Sequence, residues 1–86
     1  MTTLVLLKTK NDEQIQTWLR KIDRDGVDDL VKALLGADSE TIACVTRNMS
    51  RYARETLMRD MQKAKALMIN EAVIKQKAAA LEKLFD

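Results

Sequence analysis

The chain has 86 residues, with 15 Lys or Arg, 13 Asp or Glu and no His. A chain of this length buries only about 60–65% of the surface that it exposes when unfolded, so we expect one domain, residues 1–86, of modest stability. The near balance of charge argues against a dedicated nucleic-acid-binding protein, which concentrates basic charge on one face. The lack of His removes the commonest general base and the commonest zinc ligand.

The composition favours helices. Hydrophobic residues make up 47% of the chain and charged residues 33%, while there is no Pro and only two Gly. The remaining side chains are mostly of types that lose little rotamer freedom in a helix. The sequence therefore predicts an all-α fold, a compact bundle of about five short helices. The single Cys44 cannot form an internal disulfide, and no apolar run approaches the roughly 20 residues that span a bilayer, so we expect a cytoplasmic protein.

The first two segments precede residue 23. Residues 3–7 are apolar without a clear period, which leaves a strand, a short helix and an extended arm open. Asn11 is placed as an N-cap, with Gln14 at the capping-box position. The helix behind it has one apolar face: Ile15, Trp18, Leu19 and Ile22. Residues 23–26 end that helix, and Asp25 is the better candidate for the next N-cap.

Four more helices follow. The next carries Val27, Leu30, Val31, Leu34 and Leu35 inward and stops at Gly36. Asp38 or Ser39 caps the following helix, which turns Ile42, Val45 and Met49 inward. Ser50 caps the helix after that one, whose predicted inner face is Tyr52, Ala53, Thr56, Leu57, Met61 and Ala64. The last begins near Asn70, with Ala72, Val73, Ala80, Leu81 and Leu84 spaced for packing.

No set of residues typical of an enzyme, a metal site or a cofactor site is present in the sequence. Cys44 has no His to activate it, and a small hydrophobic role suits it better. The acidic cluster lacks the spacing of a calcium loop, and its carboxylates are better placed to cap a helix: Asp23, Asp25, Asp28 and Asp29. We therefore expect a non-enzymatic protein that binds no cofactor and no metal.

Three arginines leave a second function open. Arg47, Arg51 and Arg54 follow at i, i+4 and i+7, so on one helix they form a ridge that suits a phosphate backbone. Against this, Glu55 and Arg59 have the spacing of an ordinary solvent-exposed ion pair. The chain also has only three aromatic residues for base stacking. A nucleic-acid-binding module is thus the less favoured alternative.

Residues 47–61, RNMSRYARETLMRDM, resemble the signature of the FliG C-terminal domain family. In that family an Asn-Met-Ser turn opens a helix with Ala, Leu and Leu or Met on its inner face. Asn48, Met49 and Ser50 match the turn, and the matching face is Ala53, Leu57 and Met61. The likeness extends over nearly the whole chain. It includes the leucine run at residues 4–7, DEQIQ at 12–16, LRKID at 19–23, the Gly-Ala at 36–37 and a closing helix at 70–85.

The resemblance implies a mechanical function. FliG is a rotor component whose C-terminal domain presents a charged helix to the flagellar stator and transmits torque through complementary charge. The implied partners are the stator or other switch components, and the implied location is the cytoplasm, at or near the flagellar basal body. On this basis the candidate contacts lie on the exposed side of residues 51–65: Arg51, Arg54, Glu55, Arg59 and Asp60.

The family's charges are mostly changed in this chain. Tyr52 stands where the family has an Arg, and Arg59 replaces the first acid of an acidic pair whose second acid is kept as Asp60. Leu35 and Met68 stand at positions that are basic in the family. This pattern predicts altered partner contacts on an unchanged fold.

Leu35 and Met68 also leave a second alternative open, a structural homo-oligomer whose contact between copies shields apolar surface. Lys65 and Ala66 replace the family's Gly-Pro, so we expect helix there.

Overall fold

The computed structural model describes residues 2–85, and every regular element in that range is helical. Five α-helices form the molecule: α1 (Asp12–Lys21), α2 (Arg24–Leu34), α3 (Ser39–Thr46), α4 (Arg51–Ala66) and α5 (Glu71–Glu82). Short 3-10 helices precede and follow them, at Val5–Thr9 and Lys83–Phe85. The predicted all-α bundle of five helices is confirmed. Of the three possibilities for residues 3–7, the short helix is the nearest, although it extends to Thr9.

Each α-helix begins at a polar cap whose side chain accepts a hydrogen bond from the backbone of its first turn: Asn11, Asp23, Asp38, Ser50 and Asn70. Asn11 and Gln14 form the predicted capping box, with reciprocal bonds of 2.8 and 2.9 Å. The prediction that Asp25 caps α2 is wrong. Asp23 Oδ1 accepts from the Gly26 N–H at 2.7 Å, so the helix starts earlier and Asp25 lies in its first turn.

The core is centred on α2, which packs mainly against α5 and then against α4. The largest fully buried side chains of the core come from α1, α2, α3 and the N-terminal segment: Trp18, Leu4, Leu7, Ile15, Leu34, Val45 and Thr41. The start of the chain is held to the end of α2, where Thr3 Oγ1 donates to the Ala33 carbonyl at 2.5 Å and Thr3 N–H to the Gly36 carbonyl at 2.9 Å.

The C-terminal end of the described chain closes over α1. Trp18 Nε1 donates to the carbonyl of Leu81 at 2.8 Å, and the indole stacks on Phe85 with 5.1 Å between ring centroids. Lys10 Nζ lies 5.1 Å from the Phe85 ring centre. The Trp18 ring is therefore buried while its N–H keeps a hydrogen bond, so its burial leaves no unpaired donor.

Several predicted inner-face residues are exposed, so these inner-face predictions are wrong. Val27 is 43% exposed and Tyr52 is 79% exposed. The buried residues of α4 are Leu57, Met61 and Ala64, at i, i+4 and i+7, and Tyr52 lies off this stripe. In α5 the same spacing buries Ile74, Ala78 and Leu81, and it leaves Ala72 and Ala80 at the surface.

Candidate functional surface

The longest helix, α4, has 16 residues and exposes one side along its length. Its opposite side is fixed by Leu57 and Met61, which are 2% and 9% exposed. Ser50 Oγ accepts from the Ala53 N–H at 3.2 Å, which fixes where the helix starts. The capped start and the buried stripe together determine which α4 side chains reach solvent.

Four of the five predicted contact residues lie on the exposed surface of α4. Arg51, Glu55 and Arg59 follow one another at intervals of four residues and therefore share a side of the helix, and Arg54 lies one turn along from Arg51. Arg51 Nε donates to Glu55 Oε1 at 3.1 Å, so Glu55 is paired with the preceding arginine.

The fifth predicted residue, Asp60, lies apart from the others. It is half-buried at the edge of α4 that faces α2, and it borders a groove together with Val27 and Leu30. The structure therefore brings together Arg51, Arg54, Glu55 and Arg59, and it leaves Asp60 on the flank of the same helix.

The groove beside Asp60 has a volume of about 550 Å³ and lies between α1, α2 and α4. Its lining is mostly apolar and includes Leu19, Ile22, Met49, Ala53 and Leu57. Gln16 and Asn48 also line it, and Gln16 Nε2 donates to Asn48 Oδ1 at 2.9 Å. The sequence did not predict this groove, because it forms between helices that are distant in sequence. Val27 gives no sequence signal for the groove, because its apolar side chain is predicted to point inward and its exposure is seen only in the folded chain.

The predicted arginine ridge does not form. Arg47 is the C-cap of α3, whereas Arg51 is the first residue of α4, so Arg47, Arg51 and Arg54 do not share one helix. Arg47 Nε instead donates to Asp12 Oδ1 at 2.9 Å, and Arg51 is paired with Glu55. The prediction fails because residues 48–50 leave the helical path at the turn between α3 and α4.

Two carboxylates, Asp12 and Asp38, have a lowered pKa, and both join separate elements of the fold. Hydrogen bonds from Asn48 and Arg47 lower the pKa of Asp12. A hydrogen bond from the Lys8 side chain, and a second from the Thr41 backbone, lower the pKa of Asp38 to about 2. Asp12 ties α1 to the turn before α4, and Asp38 ties the N-terminal 3-10 helix to α3.

The positions at which the sequence departs from the FliG charge pattern are mostly at the surface. Tyr52, Arg59 and Met68 are exposed, while Leu35 is half-buried. Leu35 borders a shallow hollow with Met58 and Ile42. Lys65 and Ala66 belong to α4, which confirms the helix expected there.

A sequence model of the FliG C-terminal domain matches residues 1–82 of the chain. The chain belongs to the FliG C-terminal domain family. The resemblance carried by the Asn-Met-Ser turn and the helix after it is therefore confirmed, and the chain is a FliG-like domain of the flagellar motor switch type. No match was found among curated proteins or among solved structures.

Two further observations concern other kinds of site in this FliG-type domain. Among residues 2–85, no group of three or more Cys, Asp or Glu side chains is arranged to hold a metal ion. Across the same range, no helix has both the length and the apolar character needed to cross a membrane.

Proposed function

We propose that this FliG-type domain is a non-enzymatic protein-interaction unit of the flagellar motor, in which the exposed side of α4 contacts the stator or another switch component. The observation that carries the proposal is the set of four exposed charged side chains on one rigid helix: Arg51, Arg54, Glu55 and Arg59. Family membership supplies the motor context. The proposed location is the cytoplasmic side of the basal body.

The same surface supports a change in partner contacts. Three of its four charged residues are arginines, and Arg59 stands where the family has an acid. Exposed ion pairs contribute only about 0.2–1 kcal/mol each, so these side chains orient a partner and select between partners more than they add affinity. Because this surface is net positive, it favours an acidic partner segment. That segment would be more acidic than the one that contacts the acidic pair in other members of the family.

The nucleic-acid alternative loses its main support, because Arg47 and Arg51 are engaged with Asp12 and Glu55. A phosphate backbone would have to displace both carboxylates before those arginines became available. Arg54 alone is too little to give the salt-dependent binding typical of such proteins.

Backbone amide chemical shifts test the proposal directly. A purified cytoplasmic fragment of a flagellar stator subunit is added to the ¹⁵N-labelled 86-residue chain. We expect shifts concentrated at Arg51, Glu55 and Arg59, with Lys75 on the exposed side of α5 as the internal control. Shifts confined to α5, or no shifts at millimolar fragment, would contradict the proposed surface.

A further inference from the structure

The turn between α4 and α5 carries the most exposed apolar side chain among the described residues. Met68 is 88% exposed, and its neighbour Leu67 is 75% exposed. Val27, 43% exposed, borders a shallow hollow with Leu67. Single exposed apolar residues are common, but two large adjacent ones at a helix end form a projecting apolar tip.

The backbone at this tip is held in a conformation that does not suit Met. Met68 has φ of 52°, in the left-handed region, where helix C-termini usually place Gly. The Met68 N–H donates to the Lys65 carbonyl at 3.2 Å and the Leu67 N–H to the Ala64 carbonyl at 3.1 Å. The turn is therefore hydrogen-bonded and defined, and it presents a side chain where Gly would cost less.

Three basic side chains lie close to Leu67, either across the hollow or in sequence. Arg24 and Lys63 border the same hollow as Leu67, and Lys65 lies in the last turn of α4. Within the part of the chain that the structure describes, none of these three side chains takes part in an ion pair.

The acids near the tip are mostly neutralised. Asp28 is 2.8 Å from Lys32, and Glu71 is 3.5 Å from Lys75. Asp60, half-buried, is the remaining acid of the hollow. The surroundings of Leu67 and Met68 are thus apolar at the centre and net positive at the rim.

We propose that Leu67 and Met68 insert into the interface of an anionic lipid bilayer, while Arg24, Lys63 and Lys65 contact the lipid phosphates. Apolar side chains flanked by Lys and Arg are the combination that binds peripheral proteins to anionic membranes. The tip projects from the surface, so it suits a deformable lipid layer. Because two side chains insert, binding is weak and reversible. Leu67 and Met68 lie beyond the C-terminal end of α4, whereas the proposed partner contacts at Arg51, Arg54, Glu55 and Arg59 lie toward its start and middle. The membrane contact does not depend on the function proposed above.

Vesicle co-sedimentation tests the proposal with the full chain. Vesicles of phosphatidylcholine with a third of phosphatidylserine are compared with vesicles of phosphatidylcholine alone. We expect binding to the anionic vesicles that weakens as salt rises, and little binding to the neutral ones. Leu67→Ser reduces the partition coefficient about tenfold, and Lys65→Gln about fivefold. Tyr52→Ser, which removes an exposed aromatic side chain elsewhere on the surface, leaves the partition coefficient unchanged.

A second variant separates membrane insertion from folding. Met68→Gly removes the side chain and suits the left-handed backbone, so it raises Tm while it lowers vesicle binding. Three results would overturn the proposal: no binding to anionic vesicles, equal loss with Tyr52→Ser and Leu67→Ser, or lipid-free self-association by light scattering that Leu67→Ser abolishes. The last result would assign the tip to a contact between copies of the chain.

Discussion

Asp12 and Arg47 join the start of α1 to the turn that precedes α4, with 2.9 Å between Asp12 Oδ1 and Arg47 Nε. The same oxygen accepts from Asn48 Nδ2 at 3.1 Å, and Asn48 Nδ2 also lies 2.7 Å from the Cys44 carbonyl. The Asn-Met-Ser turn is therefore fixed to α1 as well as to α3. Because α4 starts at Ser50, this anchoring helps to set the direction of the helix that carries the proposed contact surface.

Replacement of Asp12 by Ala is expected to lower Tm slightly. The variant removes the acceptor for both Arg47 and Asn48, but the Asp12 and Arg47 side chains are solvent-exposed, so the loss is small. Glu13→Ala is the matched control, since Glu13 is the next residue of the same first turn and is also exposed. Thermal unfolding of both variants checks the prediction. Equal Tm values would mean that the Asp12 contacts contribute nothing to stability.

Replacement of Ser50 by Ala is expected to reduce the free energy of unfolding by about 0.5–2 kcal/mol, because it removes the N-cap of α4. Urea denaturation measures the change. Ser39→Ala is the control, since Ser39 is an exposed residue at the first position of α3, where Asp38 is the cap. If Ser39→Ala were as destabilising as Ser50→Ala, the loss could not be assigned to capping.

Acid is expected to weaken the fold through Asp12 and Asp38. Their pKa values are lower in the folded chain than the usual value of about 3.9, so the stabilisation that they provide is present above about pH 4. It is lost as pH falls toward about 2, the folded pKa of Asp38.

The Asp38→Asn variant isolates one of these two contributions. Asn keeps the cap of α3 but does not form the ion pair with Lys8, so Tm should fall less steeply between about pH 4 and 2 than in the parent. Thermal unfolding across that range measures the slope. A variant with the same slope as the parent would exclude Asp38 as a source of the acid sensitivity.

Trp18→Phe is expected to cost about 1–3 kcal/mol of unfolding free energy. The variant leaves the Leu81 carbonyl without its indole donor and removes part of a side chain that is 1% exposed. Tyr52→Phe is the control, because its ring is 79% exposed and its loss of a hydroxyl should change stability by less than about 0.5 kcal/mol. Denaturant unfolding compares the two, and a Trp18→Phe variant as stable as the parent would contradict the role assigned to this hydrogen bond.

Local sequence signals predict the helices and some of their caps. Asn11 and Ser50 can be identified because a cap depends on residues within one turn. Asp23 was missed because it competes with Asp25 two positions later, and only the bond to Gly26 decides between them. The sequence pattern predicts Tyr52 on the inner face, because an aromatic residue beside an apolar stripe resembles a core residue when the direction of the neighbouring helix is unknown.

The contact surface was only partly predictable. The exposure of Arg51, Arg54, Glu55 and Arg59 follows from the buried stripe of α4, which the sequence pattern contains. The separation of Asp60 depends on how α2 packs against α4, and the pairing of Arg47 with Asp12 joins residues 35 positions apart. Such contacts are set by tertiary packing. The single-domain organisation, the lack of enzyme activity and the contact residues themselves remain predictions.

The affinity of a stator cytoplasmic fragment for charge variants of α4 tests the central claim most directly. Arg59→Glu restores the acid of the family's pattern beside Asp60, so we expect an affinity for the family's stator fragment about two- to fivefold higher than that of the parent. Asp60→Lys should lower it, and Lys75→Glu on α5 should leave it unchanged. Absence of binding by every variant, or an equal response to Arg59→Glu and Lys75→Glu, would contradict the assignment of α4 as the partner-binding helix.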